Sequence, residues 1–230
     1  MGELMEDLFS LSKSMILDFT KIPSDTPDDE NIQKYFENCE AKGVNPRSAE
    51  ARQTFNNHLL EKTRKRYLIS HYGEDRSAML TGSSIAYEGR TLHLGIDIFC
   101  TALEPVYAPF DGEIVQIGRE PEDHSFGYYS VLKSSEDPKM PYTFLGHLGS
   151  VDLRQPTVVK AGDLIGRLGD FSSKENGGWS RHLHVQMCAK LPAIGTPPIG
   201  YATQEQFDTY AQKTFPSPIQ YFPGWEINDY

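Results

Sequence analysis

The chain has 230 residues, with 22 Lys+Arg against 32 Asp+Glu, a formal charge of −10 and a pI near 5.2; this balance disfavours a nucleic-acid binder, whose surface must collect phosphates. At 38% hydrophobic and 23% charged it is neither disordered nor fibrous in composition, and it is long enough to bury a core. No stretch approaches the roughly 18 apolar residues of a spanning helix, and three scattered cysteines, Cys39, Cys100 and Cys188, do not make a disulfide framework or a thiolate cluster. They are expected to be packed, inert thiols.

At the N-terminus Glu3, Glu6 and Asp7 stand where a secretory leader would carry Lys or Arg. No export signal is visible, so the chain, taken as complete, is expected in the cytoplasm. Leu4, Leu8, Leu11, Met15 and Phe19 recur at intervals of three and four and predict a helix over Met1 to Phe19. A second helix is expected from about Glu30 to Lys42, stopped by Gly43. A third follows Asn45-Pro46, with Phe55, Leu59 and Leu60 as its apolar positions, and ends in the basic cluster Lys62 to Arg66, read as a solvated helix end. His58 and His71 fall in this helical segment as surface or interhelical residues.

From about Tyr87 the texture changes to short β-branched segments between turn residues: HLGIDIF, PVYAPFDGEIVQIG, YYSVLK, MPYTFLGHL, TVVKAGDLIGRLG and HLHVQM. Asp111-Gly112 reads as a hairpin turn and Ala161-Gly162-Asp163 as a second turn of the same kind. After Leu191 the spacing of Pro192, Pro197, Pro198, Pro216, Pro218 and Pro223 predicts an ordered wrap or loop rather than another sheet. The organisation is therefore α+β and mainly β: a helical N-terminal region (1–75), an antiparallel β domain (76–190) and a Pro-rich C-terminal extension (191–230).

Four of the seven histidines, His93, His147, His182 and His184, lie in the strand segments of the β domain, with candidate acidic partners. His93 and Asp97 would be about 13 Å apart in an extended strand, too far for one ion, but Gly95 between them lets the chain bend and bring both onto a single metal. In His182-Leu-His184-Val-Gln186-Met187 the two histidines and Gln186 share one face. Same-face neighbours are about 6.6 Å apart, so one histidine can bind a metal while the other reaches its open coordination position. His147 ends an apolar strand, at a rim where a cleft can open. Two imidazoles and a carboxylate with a fourth position for water make a catalytic rather than a structural zinc site. Hydrolysis also needs groups that move the water's proton and steady the oxyanion, and two further histidines can do both. Trp179, in the flexible loop Glu175-Asn-Gly-Gly-Trp179, is either a substrate wall or a cap on the sheet. Cys188 shares the face of His184 but sits two pairs away, and His124 reads as a polar loop residue.

Taken together and in this order, HLGIDIF, PVYAPFDGEIVQIG, GHL, VVKAGDLIGRLG and HLHVQM resemble the lysostaphin/LytM-type zinc metallopeptidases, over roughly Arg90 to Lys190. Many members of that family cut peptide crosslinks in bacterial peptidoglycan. The resemblance implies one Zn²⁺ per chain held by His93, Asp97 and His184, with His147 and His182 as the catalytic histidines, and peptidoglycan or another peptide as substrate. Such relatives usually act in the periplasm or outside the cell. The alternative on the same scaffold is a catalytically silent cell-wall-binding or amidase-regulating module. A biotinyl or lipoyl carrier, which shares such turns, would need an exposed turn lysine that is missing between these strands.

Overall fold

The computed structural model describes residues 14–16, 37–39, 41–45, 48–80, 82–135, 141–151, 154–171 and 175–221. A ten-stranded sheet organises them. In chain order its strands are β1 (Ser14–Ile16), β2 (Tyr67–Ile69), β4 (Ile96–Phe99), β5 (Pro105–Tyr107), β6 (Gly112–Arg119), β7 (Tyr128–Ser134), β8 (Tyr142–Val151), β9 (Thr157–Val159), β10 (Leu164–Leu168) and β11 (His182–Cys188). The spatial order is β1-β2-β4-β11-β8-β7-β6-β9, with β10 joining β8 to β5. A separate pair joins β3 (Leu92–His93) to β12 (Tyr201–Ala202). All pairings are antiparallel except β1 with β2. No helix among the described residues is long and apolar enough to cross a membrane.

The N-terminal expectations meet the structure unevenly. Of the helix expected over residues 1–19, only Ser14–Ile16 lie within the described residues, and they form β1 against the outer edge of β2. A strand edge offers unpaired N–H and C=O groups, and filling it here overrides the helical spacing of Met15. The second helix is seen at residues 37–39 and 41, and it stops as expected at Gly43, whose φ of 69° carries the chain out while Val44 N–H donates to the Cys39 carbonyl (2.8 Å). The third is α1 (Ala49–Thr63). Ser48 Oγ accepts from Ala51 N–H at its start, Arg64 in the left-handed region ends it, and Phe55, Leu59 and Leu60 are buried. The helical reading fails beyond Arg66: Tyr67–Ile69 is strand β2, wholly buried, and His71 follows it outside any helix.

Asp111-Gly112 does not close a hairpin. The strands on either side of it, β5 and β6, do not pair; β5 pairs with β10, and β6 with β7 and β9. Gly112 is needed because a Cβ there would lie 2.2 Å from the Lys133 carbonyl oxygen, so the requirement is close backbone approach rather than turn geometry. Asp111 instead docks on the second turn, accepting from Ala161 N–H (2.9 Å) and Lys160 Nζ (2.8 Å), while Gly162, at φ 87°, donates to the Ala108 carbonyl. The two similar turn sequences are partners in space. The Pro-rich segment wraps irregularly over residues 191–200 as expected, but then contributes β12 and the helix α2 (Gln204–Lys213). Thr203 and Gln206 close that helix's N-terminus as a reciprocal capping box.

Alternation divides the sheet into two faces. Ile96, Ile98, Leu183, Val185, Leu145 and Leu148 belong to the main core. On the other face of the same strands lie Asp97, His182, His184, Gln186 and a smaller apolar cluster of Tyr129, Val131, Phe144 and Cys188. All three cysteines are free and buried. Burial pushes the Cys100 and Cys188 thiols up to about 12, as inert packed thiols require.

Candidate metal and catalytic site

Strand register assembles the site. β11 lies between β4 and β8, with His184 opposite Asp97 on one side and Gly146 on the other. His93 arrives from the opposite end of β4, because the chain bends at Leu94-Gly95 between β3 and β4. The bend shortens the 93-to-97 span until His93 Nε2 lies 3.5 Å from Asp97 Oδ1. Gly95 also makes room: a Cβ there would sit 2.4 Å from His184 Cε1 and 2.7 Å from its Nε2. The expected role of that glycine holds, with the added reason that the imidazole of His184 packs on it.

His147 reaches the same face through a break in β8. Leu145 and Leu148 both point into the main core, so one residue between them is extra, and the pairing of β8 with β10 shifts register at this point. His147 absorbs the irregularity with φ 62°, its N–H donating to Phe126 O and its carbonyl accepting from Gly169 N. In an unbroken strand it would have shared the core face with Leu145. Gly146 beside it cannot carry a side chain without meeting Phe126 Cδ1 at 2.8 Å.

The two groups of residues differ in chemistry. His93 Nε2, Asp97 Oδ1 and His184 Nδ1 are 2.9 to 3.5 Å apart, and all three residues are buried. A carboxylate only accepts hydrogen bonds, and each neutral imidazole has one proton to give, so this cluster is rich in lone pairs and poor in protons. Its spacing matches the edge of a tetrahedron around a divalent ion with bonds of about 2.0–2.1 Å, an edge of about 3.3 Å. His93 Nδ1 is buried without a hydrogen-bond partner, so no second hydrogen bond draws its ring elsewhere. Donor type, spacing and burial fit a metal ion.

Asp97 is held from behind. Its Oδ2 accepts from Arg76 Nη1 at 2.5 Å, and Arg76 in turn contacts Glu74 at 2.6 Å. Burial alone would push the Asp97 carboxyl up, yet His93 and Arg76 pull it well below the ordinary carboxylate range. Burial, then Arg76, keeps His93 neutral by pushing its pKa well below 6.5.

His147 and His182 stand with ring centroids 4.2 Å apart. Each gives its Nδ1–H to a main-chain carbonyl, His147 to Asn176 (2.8 Å) and His182 to Ser180 (2.7 Å). That leaves Nε2 of each as the basic nitrogen. Burial is the main reason both pKa values lie below 6.5. His182 Nε2 lies 3.7 Å from Asp97 Oδ2, whose charge works in the opposite direction.

All five histidine and aspartate positions singled out in the sequence line one cleft of about 470 Å³, together with Trp179. The Trp179 ring faces this cleft edge-on to His147 and His124, with Nε1–H donating to Ser125 O (3.1 Å). The loop that carries it is pinned rather than flexible. Asn176 is fully buried, and its side chain bonds the Gly169 and Trp179 carbonyls and the Gly178 N–H, while Gly177 and Gly178 both take φ 78°. Arg76, Asn176, Ser180 and Gln186 escaped the sequence reading as site residues. Gln186 left a trace there on the His182/His184 face, and Asn176 in the loop before Trp179.

Residues 91–194 match the model of peptidase family M23. The match covers somewhat less than half of the chain, which is similar to that family over this stretch. Similar solved structures include the catalytic domain of the antimicrobial peptidase lysostaphin from Staphylococcus simulans, 23% identical over 51% of this chain and 79% of that one, with a TM-score of 0.38. An NMR solution structure of lysostaphin is 24% identical over 54% of this chain, at a TM-score of 0.36, and the match spans less than half (45%) of that longer chain. A zinc-containing peptidase from Vibrio cholerae is 21% identical over 54% of this chain and 32% of its own, at 0.38. No curated protein matches the chain. Arg76, which holds Asp97, and Tyr201, which pairs with His93, both lie outside the M23 stretch.

Proposed function

We propose that the protein is a zinc-dependent endopeptidase acting on peptide bonds of peptidoglycan crosslinks. The observation that carries this reading is the meeting, in one cleft, of a proton-poor cluster of two imidazoles and a carboxylate with two neutral histidines whose Nε2 atoms are unprotonated. His93 Nε2, Asp97 Oδ1 and His184 Nδ1 would hold the zinc. Bound there, zinc supplies Lewis acidity, which makes water a nucleophile at neutral pH and polarises an amide carbonyl.

The chain's own residues do the rest. The proton that hydrolysis takes from water goes to Nε2 of His147, whose Nδ1 is already committed to the Asn176 carbonyl, and returns from there to the leaving amine. His182 serves the oxygen of the attacked carbonyl in its protonated form: Nε2, unprotonated at rest, takes up a proton from solvent and then donates it as a hydrogen bond. Its nearness to Asp97 Oδ2 makes it the easier of the two to hold as a cation. Burial of both rings keeps bulk water from competing for these contacts. Trp179 forms a wall along which the peptide lies.

The test incubates the zinc-loaded protein and its His147→Ala variant with crosslinked peptidoglycan and identifies released fragments by mass spectrometry. Fragments from the wild type alone support the reading and name the bond. A wild type that holds one zinc and releases nothing overturns it in favour of a binding or regulatory module.

A further inference from the structure

The M23 stretch ends at residue 194, yet both histidines of the donor cluster lean on residues beyond it. Gln186 is fully buried, and its Nε2 donates to the Ile199 carbonyl at 3.0 Å. That bond decides which way the amide points and leaves Oε1 3.0 Å from His184 Nε2. An amide oxygen accepts and cannot donate, so Gln186 draws the proton of His184 onto Nε2 and leaves its lone pair on Nδ1, against the pull of the Asp97 carboxylate, which also only accepts. Nδ1 is the atom 2.9 Å from Asp97 Oδ1 and 3.1 Å from His93 Nε2.

The same segment supports His93. Tyr201 pairs with it in register, and their rings lie 5.4 Å apart. Gly200 accepts from Leu94 N–H at 2.9 Å, beside the bend that brings His93 to Asp97. The Tyr201 hydroxyl is 3.4 Å from Nη1 of Arg76, the nitrogen that holds Asp97.

We propose that Gln186, seated by the Ile199 carbonyl, is the positioning residue that fixes the His184 tautomer, and that the segment Ile199–Tyr201 is thereby a working part of the metal centre. A neutral imidazole in the other tautomer would aim an N–H into the donor cluster and would have to shift its proton before any cation could bind through Nδ1. The inference rests on the zinc reading above, but the tautomer can be read without metal.

The test records imidazole ¹⁵N–¹H correlations on the metal-free full-length chain for the wild type, Gln186→Met and Gln186→Glu, and measures zinc affinity by chelator competition. The wild type and Gln186→Glu, which keeps an acceptor, are expected to hold His184 with the proton on Nε2. Gln186→Met, similar in shape but without the acceptor, is expected to populate the Nδ1–H form and to bind zinc about 10- to 100-fold more weakly. An unchanged tautomer or unchanged affinity in Gln186→Met overturns the proposal. A wild type that binds no zinc but shows the tautomer shift in Gln186→Met overturns the zinc reading and leaves the role of Gln186 standing. Should Gln186→Met fail to fold, hydrogen exchange on the wild type decides: zinc is expected to slow exchange where residues 92–94 pair with 200–202, and no slowing there refutes the coupling.

Discussion

His93, Asp97 and His184 are backed by side chains, whereas His147 and His182 are oriented by main-chain carbonyls. In the first group Arg76 and Gln186 push the donor atoms towards one another, leaving lone pairs at short range that a cation would relieve. In the second, the Asn176 and Ser180 carbonyls each take a proton and set Nε2 free, whether or not a cation is present. Side-chain support can be removed by one substitution, while carbonyl support depends on the path of a loop. The two halves of the cleft should therefore fail separately.

The largest separation is expected between His184→Ala and His147→Ala. The first should lose stoichiometric zinc and all turnover. The second should keep its zinc and lose about 10²- to 10⁴-fold in kcat, the usual contribution of a positioned acid–base group. Zinc content by plasma mass spectrometry, set beside peptidoglycan cleavage, checks both, and full zinc in His184→Ala would erase the division. Gly95→Ala breaks the first half by crowding. The new methyl carbon would fall 2.4 Å from His184 Cε1 and 2.9 Å from the Val185 carbonyl oxygen. Displacing a ligand in this way should weaken zinc about 10- to 100-fold, the scale seen when the support of a ligand is lost, while the His147 bond to Asn176 persists. Chelator competition measures the first effect.

Asn176→Ala attacks the second half through its loop. It removes the buried amide that ties the Gly169 and Trp179 carbonyls together, leaving them unsatisfied at about 1–3 kcal/mol each. Chemical denaturation should show that loss, and turnover should fall with zinc content unchanged. Loss of zinc in this variant would mean that the two halves are one network.

What the sequence disclosed follows the same division. Alternation in His182-Leu-His184-Val-Gln186 needs only the two-residue period of a strand, so the shared face of these residues was legible, as was the bend at Gly95. The bulge that turns His147 into the cleft was not, since Leu145 and Leu148 look alike in any register until the sheet fixes which of them is core. Arg76, Asn176 and Ser180 are separated from their histidine or aspartate partners by other elements or by loop geometry that no local period encodes. Asp111-Gly112 carried the composition of a hairpin, but its neighbours pair elsewhere and its carboxylate serves a turn about fifty residues away. Helix α2 was missed although Thr203-Gln-Glu-Gln206 spells its capping box, because the surrounding prolines dominated the reading.

The smallest expected effect is a dependence of stability on pH. Burial, reinforced by His182 and His184, lowers the His147 pKa well below its ordinary 6.5, and burial lowers that of His182 in the same direction. Below pH 6.5 the unfolded chain takes up protons that these folded rings refuse, so the unfolded state gains as pH falls. Their neutral burial therefore costs nothing above pH 6.5 and destabilises progressively as pH drops from 6.5 towards their folded values. Asp97 belongs to a lower window: its depressed folded pKa adds stability above its ordinary 3.8, which is lost only as pH falls through the folded value. Melting of the metal-free protein should thus decline first on the acid side of 6.5 and again below about 3.8. His147→Gln should flatten the first decline by the uptake of one proton and leave the second untouched. A wild-type melting temperature that stays level between pH 7.5 and 5.5 would show that the carbonyl-held histidines are not kept neutral by the fold, and the contrast between the two halves would collapse.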